Sequence, residues 1–161
     1  MSPGGDGGVP GRAVQRALTL HLGVLVQQYR TRGKGAGPSV TTADVARWLE
    51  DRYGIMQAFY RVHGDDVVKA IEQSLGGAME SLLIGRQVDP WGSGMQLIQA
   101  AFRKFISSRE AERVGIPGTP TKAAMRGVNH RLKHPYAKRN ARRPSFRDSG
   151  LYMGSFRAWV D

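Results

Sequence analysis

Apolar residues recur at intervals of three and four over the middle of the chain, the spacing that lines one face of a helix. The clearest stripe lies in residues 67–83, and a second lies in residues 95–106. Thr41 followed by Asp44 has the pattern of a capping box, which predicts a helix that starts at residue 42 and ends near Gly54. These patterns predict a mainly α-helical protein with four to five helices.

Further signals set the limits of the other predicted helices. A short helix is expected over residues 55–63, and Asp65 or Asp66 opens the long apolar stripe, in which Gly76 and Gly77 allow a bend or a close helix contact. Ser93 with Gln96 suggests a second capping box, for a helix that ends before Gly115. Thr121 is expected to cap a short basic helix over residues 122–133, followed by a basic loop.

The segment 12–30 fits two periods. Val14, Leu18, Leu22, Leu25 and Tyr29 follow a helical stripe, whereas residues 18–26 also alternate strictly between apolar and other positions. Its length favours a helix, and the alternation leaves open an α+β fold with a small sheet.

We predict three parts: a flexible glycine-rich arm at 1–11, a helical core domain at 12–116, and a basic, aromatic C-terminal arm at 117–161.

Charge is concentrated in that C-terminal part. The net charge is +11, and residues 121–161 hold ten Lys or Arg against two Asp. Such a block attracts phosphates or acidic protein surfaces, so a nonspecific DNA contact is one expectation. The predicted basic patch consists of Lys122, Arg126, Arg131, Lys133, Lys138, Arg139, Arg142 and Arg143.

The composition excludes several kinds of site. The chain has no cysteine, which excludes disulfides and cysteine-ligated metals, and no apolar run is long enough for a membrane span, so no membrane partner is expected. Lys34 in the glycine-rich stretch 33–37 does not stand directly before a Ser or Thr, as the lysine of a phosphate-binding loop does. His130 and His134 lack a third residue that could bind a metal with them. We therefore expect no catalytic residue, metal or cofactor.

Two binding signals remain. Residues 42–63 resemble a helix-turn-helix that would present Gln57, Arg61 and His63 to DNA, although two core helices explain the same pattern. The C-terminal segment carries a docking motif in which Asp148, Ser149 and Gly150 cap a short helix. Its predicted partner-docking residues are Phe146, Leu151, Tyr152, Phe156 and Trp159.

The stretch RPSFRDSGLYMGSFRAWV at 143–160 resembles a signature of virion structural proteins from tailed bacteriophages, and is similar to a segment of their tail-completion and virion-morphogenesis group. PGTPT at 117–121 and GVNHRLK at 127–133 fit the same resemblance, which covers little more than the last third of the chain.

The resemblance implies a non-enzymatic ring subunit at the neck or in tail completion, made in the host cytoplasm and located in the virion. The implied partners are further copies of the chain and other virion proteins, namely the portal or adaptor, the tail terminator, and the tube or sheath. The alternatives are a DNA-binding regulator and a tail-tube or baseplate-associated protein.

Overall fold

A computed structural model describes residues 18–29, 40–130 and 132–161. In these residues the chain is mainly helical, with one small antiparallel sheet, so the predicted fold class is confirmed. None of the helices described is long and apolar enough to cross a membrane. The elements in chain order are β1 (Leu20–Val24), α1 (Thr42–Tyr53), α2 (Ile55–Leu83), α3 (Gly92–Ser107), α4 (Glu110–Arg113), α5 (Lys122–Met125), α6 (Leu151–Ser155) and β2 (Phe156–Val160).

Some predictions fall outside the described residues. These are the flexible arm at 1–11, the glycine-rich segment at 33–37, and Arg131 of the predicted basic patch.

The two strands join distant parts of the chain. β1 pairs antiparallel with β2, from Leu20 opposite Val160 to Val24 opposite Phe156. The prediction of a helix for 12–30 is therefore wrong for the described residues of this segment. The alternation of apolar residues, which is typical of a strand, was the correct signal. A strand this short needs a partner to satisfy its backbone, and that partner lies at the other end of the chain.

Helices α1 and α2 meet at a single glycine. The predicted capping box is confirmed: Thr41 Oγ1 accepts from Asp44 N at 3.2 Å, and the Asp44 carboxylate accepts from Thr41 N at 2.9 Å. Gly54 adopts a left-handed conformation with φ 57° and ends α1. The next helix starts at once, because the Glu50 carboxylate accepts from the backbone N–H of Met56 at 2.7 Å. The two helices predicted after Gly54 are confirmed: α2 consists of two helical segments that meet at a kink at His63, where φ is −111° and ψ is 15°.

A close contact between α2 and α3 is set by Gly94. A Cβ at this position would lie 2.8 Å from the carbonyl oxygen of Ala70, so a larger residue would separate the helices. Gly76 and Gly77, which the sequence suggested for this purpose, have no other atom within 4 Å of such a Cβ. The capping box predicted at Ser93 is also wrong, since the Ser93 hydroxyl hydrogen bonds with the Ser74 hydroxyl at 2.7 Å, across the helix pair.

Four phenylalanines form the centre of the core. Phe102 of α3 stacks on Phe156 of β2, with ring centroids 3.8 Å apart and planes 12° apart. Phe59 of α2 meets Phe102 edge to face at 5.3 Å, and Phe105 lies beside it at 5.7 Å. All four side chains are fully buried. The core therefore depends on α2, α3 and the C-terminal strand together.

The C-terminal part is thus not a separate arm. Tyr152, Phe156 and Ala158 belong to the same buried cluster as the residues of α2 and α3. The predicted boundary at residue 117 does not separate two bodies, because the last strand completes the core domain. Thr121 caps α5 as predicted, accepting from Ala124 N at 3.2 Å, but this helix ends at Met125 rather than at residue 133.

Replacing Phe156 with alanine should lower the free energy of unfolding by about 3–5 kcal/mol, because the change leaves a cavity against Phe102. Urea unfolding followed by circular dichroism measures this loss. Val26→Ala is the control, since Val26 is 70% exposed, and should change stability by less than about 0.5 kcal/mol. Equal losses in the two variants would contradict this account of the core.

Candidate interaction surfaces

Two of the five predicted docking residues are used within the fold. Tyr152 is 3% exposed and Phe156 is 0% exposed, and both contact the core of their own chain. They cannot reach another protein without unfolding of this segment, so the prediction that they dock on a partner is wrong. Sequence shows that such aromatic residues need a contact, but not whether the contact is internal.

The other three predicted docking residues lie nearer the surface. Phe146 and Leu151 are half-buried, and the Phe146 ring packs edge to face on Tyr53 at 5.0 Å. Trp159 is 46% exposed and lies over Gly23, where a Cβ would come within 2.9 Å of the indole. Of the five, Trp159 is the one whose ring is substantially open to a partner.

The predicted helix cap is divided among different roles. Gly150 precedes α6 in a left-handed conformation with φ 80°, and the Ser149 hydroxyl accepts from Leu151 N at 3.2 Å. Asp148 does not cap the helix. Its carboxylate accepts from His130 N at 3.0 Å and lies 2.5 Å from His130 Nδ1, so it attaches the preceding loop to this segment.

That loop, residues 126–130 and 132–143, which we call the basic loop, is closed at its base. Arg143 N donates to Ala124 O at 3.2 Å, and Arg143 Nε donates to Val128 O. At Gly127, φ is 66° and a Cβ would lie 2.4 Å from the carbonyl oxygen of Asn140, so only glycine allows the two sides of the loop to meet. The two ends of the loop are therefore held close together.

Side-chain contacts hold the interior of the loop. The Asn140 amide donates to the carbonyl oxygens of His134 and Pro135, both at 2.9 Å. His130 Nε2 lies 3.0 Å from the Tyr136 hydroxyl, while the other ring nitrogen faces Asp148. These bonds hold the loop in shape, although its described residues form no helix or strand.

A buried carboxylate anchors the loop to α4. Glu112, with a side chain 6% exposed, accepts from Arg142 Nη2 at 2.9 Å and from both the backbone N–H and the hydroxyl of Ser145 at 2.8 Å. Burial by itself would raise the pKa of Glu112, but these hydrogen bonds outweigh it and hold the pKa below its usual value.

The anchoring contacts divide the predicted basic patch. Arg142 binds Glu112, and Arg143 is mostly buried, which lowers its pKa. The remaining described members are exposed and, within the ranges that the structure describes, have no carboxylate within 4 Å. They are Lys122, Arg126, Lys133, Lys138 and Arg139.

A second surface is apolar and lies at the C-terminal end of α2. Met79, Leu82 and Leu83 belong to the apolar stripe of residues 67–83, but they are 66%, 61% and 87% exposed. The cause is that the buried side of α2 stops at Ala78, so the last turn extends beyond its packing partner. With the residues that follow, this apolar end consists of Met79, Leu82, Leu83, Ile84 and Val88.

His63 occupies the kink of α2 beside a cavity of about 420 Å³. Its Nδ1 lies 3.0 Å from Asp66 and its Nε2 lies 3.1 Å from Glu110, so the ring links α2 to α4. No group of three potential metal ligands occurs in the described part of the chain. Of the three residues predicted to face DNA from a helix-turn-helix, Gln57 and Arg61 are exposed, whereas His63 is turned to these carboxylates.

No protein family, curated protein or solved structure matches this chain. The surfaces are therefore assigned from geometry and sequence. Sequence reasoning missed the anchoring roles of Glu112 and His130, because their partners Ser145 and Asp148 stand 33 and 18 residues away and no local spacing connects them.

Replacing Glu112 with glutamine should destabilise the protein by about 1–2 kcal/mol at neutral pH, because charge-assisted hydrogen bonds to Arg142 and Ser145 are lost. The folded pKa lies below the unfolded one, so this stabilisation is present above about pH 4.5 and disappears as the pH falls through the folded pKa.

Urea unfolding from pH 7 to pH 3 should therefore show the two proteins converging in acid. Glu80→Gln, at an exposed position of α2, is the control and should match the wild type throughout. A constant difference between wild type and Glu112→Gln at all pH values would contradict the anchoring role of the ionised carboxylate.

Proposed function

We propose that this chain is a non-catalytic structural subunit of a tailed-bacteriophage particle, at the neck or in tail completion. In this role it joins head to tail through protein–protein contacts. The observation that carries the proposal is the exposed apolar end of α2, combined with the resemblance of residues 143–160 to virion structural proteins.

The apolar end has the character of a protein-binding surface. Leu82, Leu83 and Ile84 are consecutive residues that are each more than half exposed, and Met79 lies one turn before them. Large apolar side chains grouped in this way on a soluble surface are typical of interaction sites. In the proposed role they contact a neighbouring copy of the chain in a ring.

The apolar end of α2 lies far from the basic loop. Leu83 is 20 residues beyond His63, a length of about 30 Å along a helix. His63 contacts Glu110 of α4, and α4 also supplies Glu112, which anchors the basic loop. The apolar end and the basic loop therefore occupy different ends of the molecule, which suits a subunit that contacts different neighbours at once.

Charge also distinguishes the two ends. Residues 64–89 hold five Asp or Glu and two Lys or Arg, so α2 and the turn after it carry a net negative charge within a protein of net charge +11. Phosphate would be repelled from this part of the surface. This supports a protein, rather than DNA, as the partner of the apolar end.

A triple variant, Leu82→Ser with Leu83→Ser and Ile84→Ser, should abolish assembly while leaving the fold intact, because these side chains contribute little to the core. Mass photometry and negative-stain imaging should show closed rings for the wild type and monomers for the variant. Circular dichroism should show the same helix content for both.

The matched control is Gln57→Ser with Arg61→Ser, two exposed changes at the other end of α2, which should leave the rings intact. A wild-type protein that stays monomeric and shifts one DNA sequence selectively in a gel would overturn the proposal in favour of the DNA-binding regulator. Rings that join purified tail tubes or baseplates rather than heads would place the subunit there instead.

A further inference from the structure

We propose that the basic loop is a binding surface for the phosphate backbone of duplex DNA, without sequence preference. This proposal concerns a different part of the molecule from the apolar end of α2. It does not depend on the virion role.

The Asp, Glu, Lys and Arg residues in and around the loop are all of one sign. Residues 113–147 contain ten Lys or Arg and no Asp or Glu. An ordinary solvated surface carries charges of both signs, so a run of 35 residues without one carboxylate concentrates a positive field. Such a field attracts a polyanion over a distance of about one Debye length.

The neighbouring carboxylates do not cancel this field at the surface. Glu112 is almost fully buried and already binds Arg142 and Ser145. Asp148 is occupied by the ring and backbone N–H of His130. Both acids therefore hold the loop in place and leave the exposed cations unpaired.

The loop also presents its cations from a defined scaffold. Lys133, Lys138 and Arg139 flank a turn held by the Asn140 amide and by the contact between His130 and Tyr136. A held backbone means that less conformational entropy is lost when these side chains contact phosphates. Exposed lysines on a solvated tail would lack this advantage.

The residue types favour DNA over an acidic protein. Three of the five exposed cations are lysines, and lysine is depleted at protein–protein interfaces. Protein–DNA interfaces, in contrast, are strongly positive, and most of their hydrogen bonds go to phosphate and sugar. The described part of the loop offers no helix or strand to enter the major groove and align side chains with base edges, so binding should be insensitive to sequence.

The test is fluorescence anisotropy of the full chain with a short labelled duplex DNA over a salt series. The variant Lys133→Gln with Lys138→Gln and Arg139→Gln should bind at least about 10-fold more weakly at 100 mM salt. The slope of log K against log salt should fall by about 2 to 3, since each lost phosphate contact removes about 0.9. The matched control, Arg47→Gln with Lys69→Gln and Arg86→Gln, removes the same charge from exposed positions elsewhere and should retain nearly all of the affinity.

Several outcomes would overturn the inference. These are no binding of duplex DNA at low salt, equal losses in the two triple variants, or tighter binding of polyglutamate than of DNA at the same salt. Polyglutamate preference would identify an acidic protein as the partner. Thermal unfolding should be the same for both triple variants. The Leu82–Leu83–Ile84 variant should bind DNA with an unchanged intrinsic affinity per chain. Loss of ring formation can therefore be distinguished from loss of DNA binding.

Discussion

The stacked rings of Phe102 and Phe156 join the end of the chain to its central helix. Because Phe156 starts β2, the same contact holds the strand that pairs with β1 and so fixes both outer segments against α3. Burying two aromatic faces stabilises a small domain substantially, and each ring also has an edge contact with Phe59. The sheet also packs on this core through Leu22 and Ala158.

The same arrangement explains the position of the basic loop. Residues 144–155 must run from α5 to the buried start of β2, and along this path they pass α1 and α4. Ser145 meets Glu112, Phe146 meets Tyr53, and Asp148 meets His130. The basic loop comes directly before this segment. The contacts that hold residues 144–155 against the core therefore also fix the basic loop at one end of the molecule.

At the other end, α2 extends past its packing partner. The last buried residue of α2 is Ala78, and the apolar residues that follow it are exposed, whereas Gly94 brings α3 close to α2 at Ala70. α2 thus contributes to the core along most of its length and exposes apolar side chains in its last turns. This arrangement separates the apolar end of α2 from the basic loop.

The sequence by itself determined the helical class, the capping of α1 by Thr41 and Asp44, the end of α1 at Gly54, and the concentration of positive charge. These depend on neighbours a few residues apart, which local patterns describe. Only the tertiary structure decided that residues 20–24 form a strand, that Tyr152 and Phe156 are buried, and that Leu82 and Leu83 are exposed. The physical reason is that an apolar residue requires a contact but does not specify it: the partner of β1 stands at the other end of the chain, and the exposure of the end of α2 depends on where another helix begins.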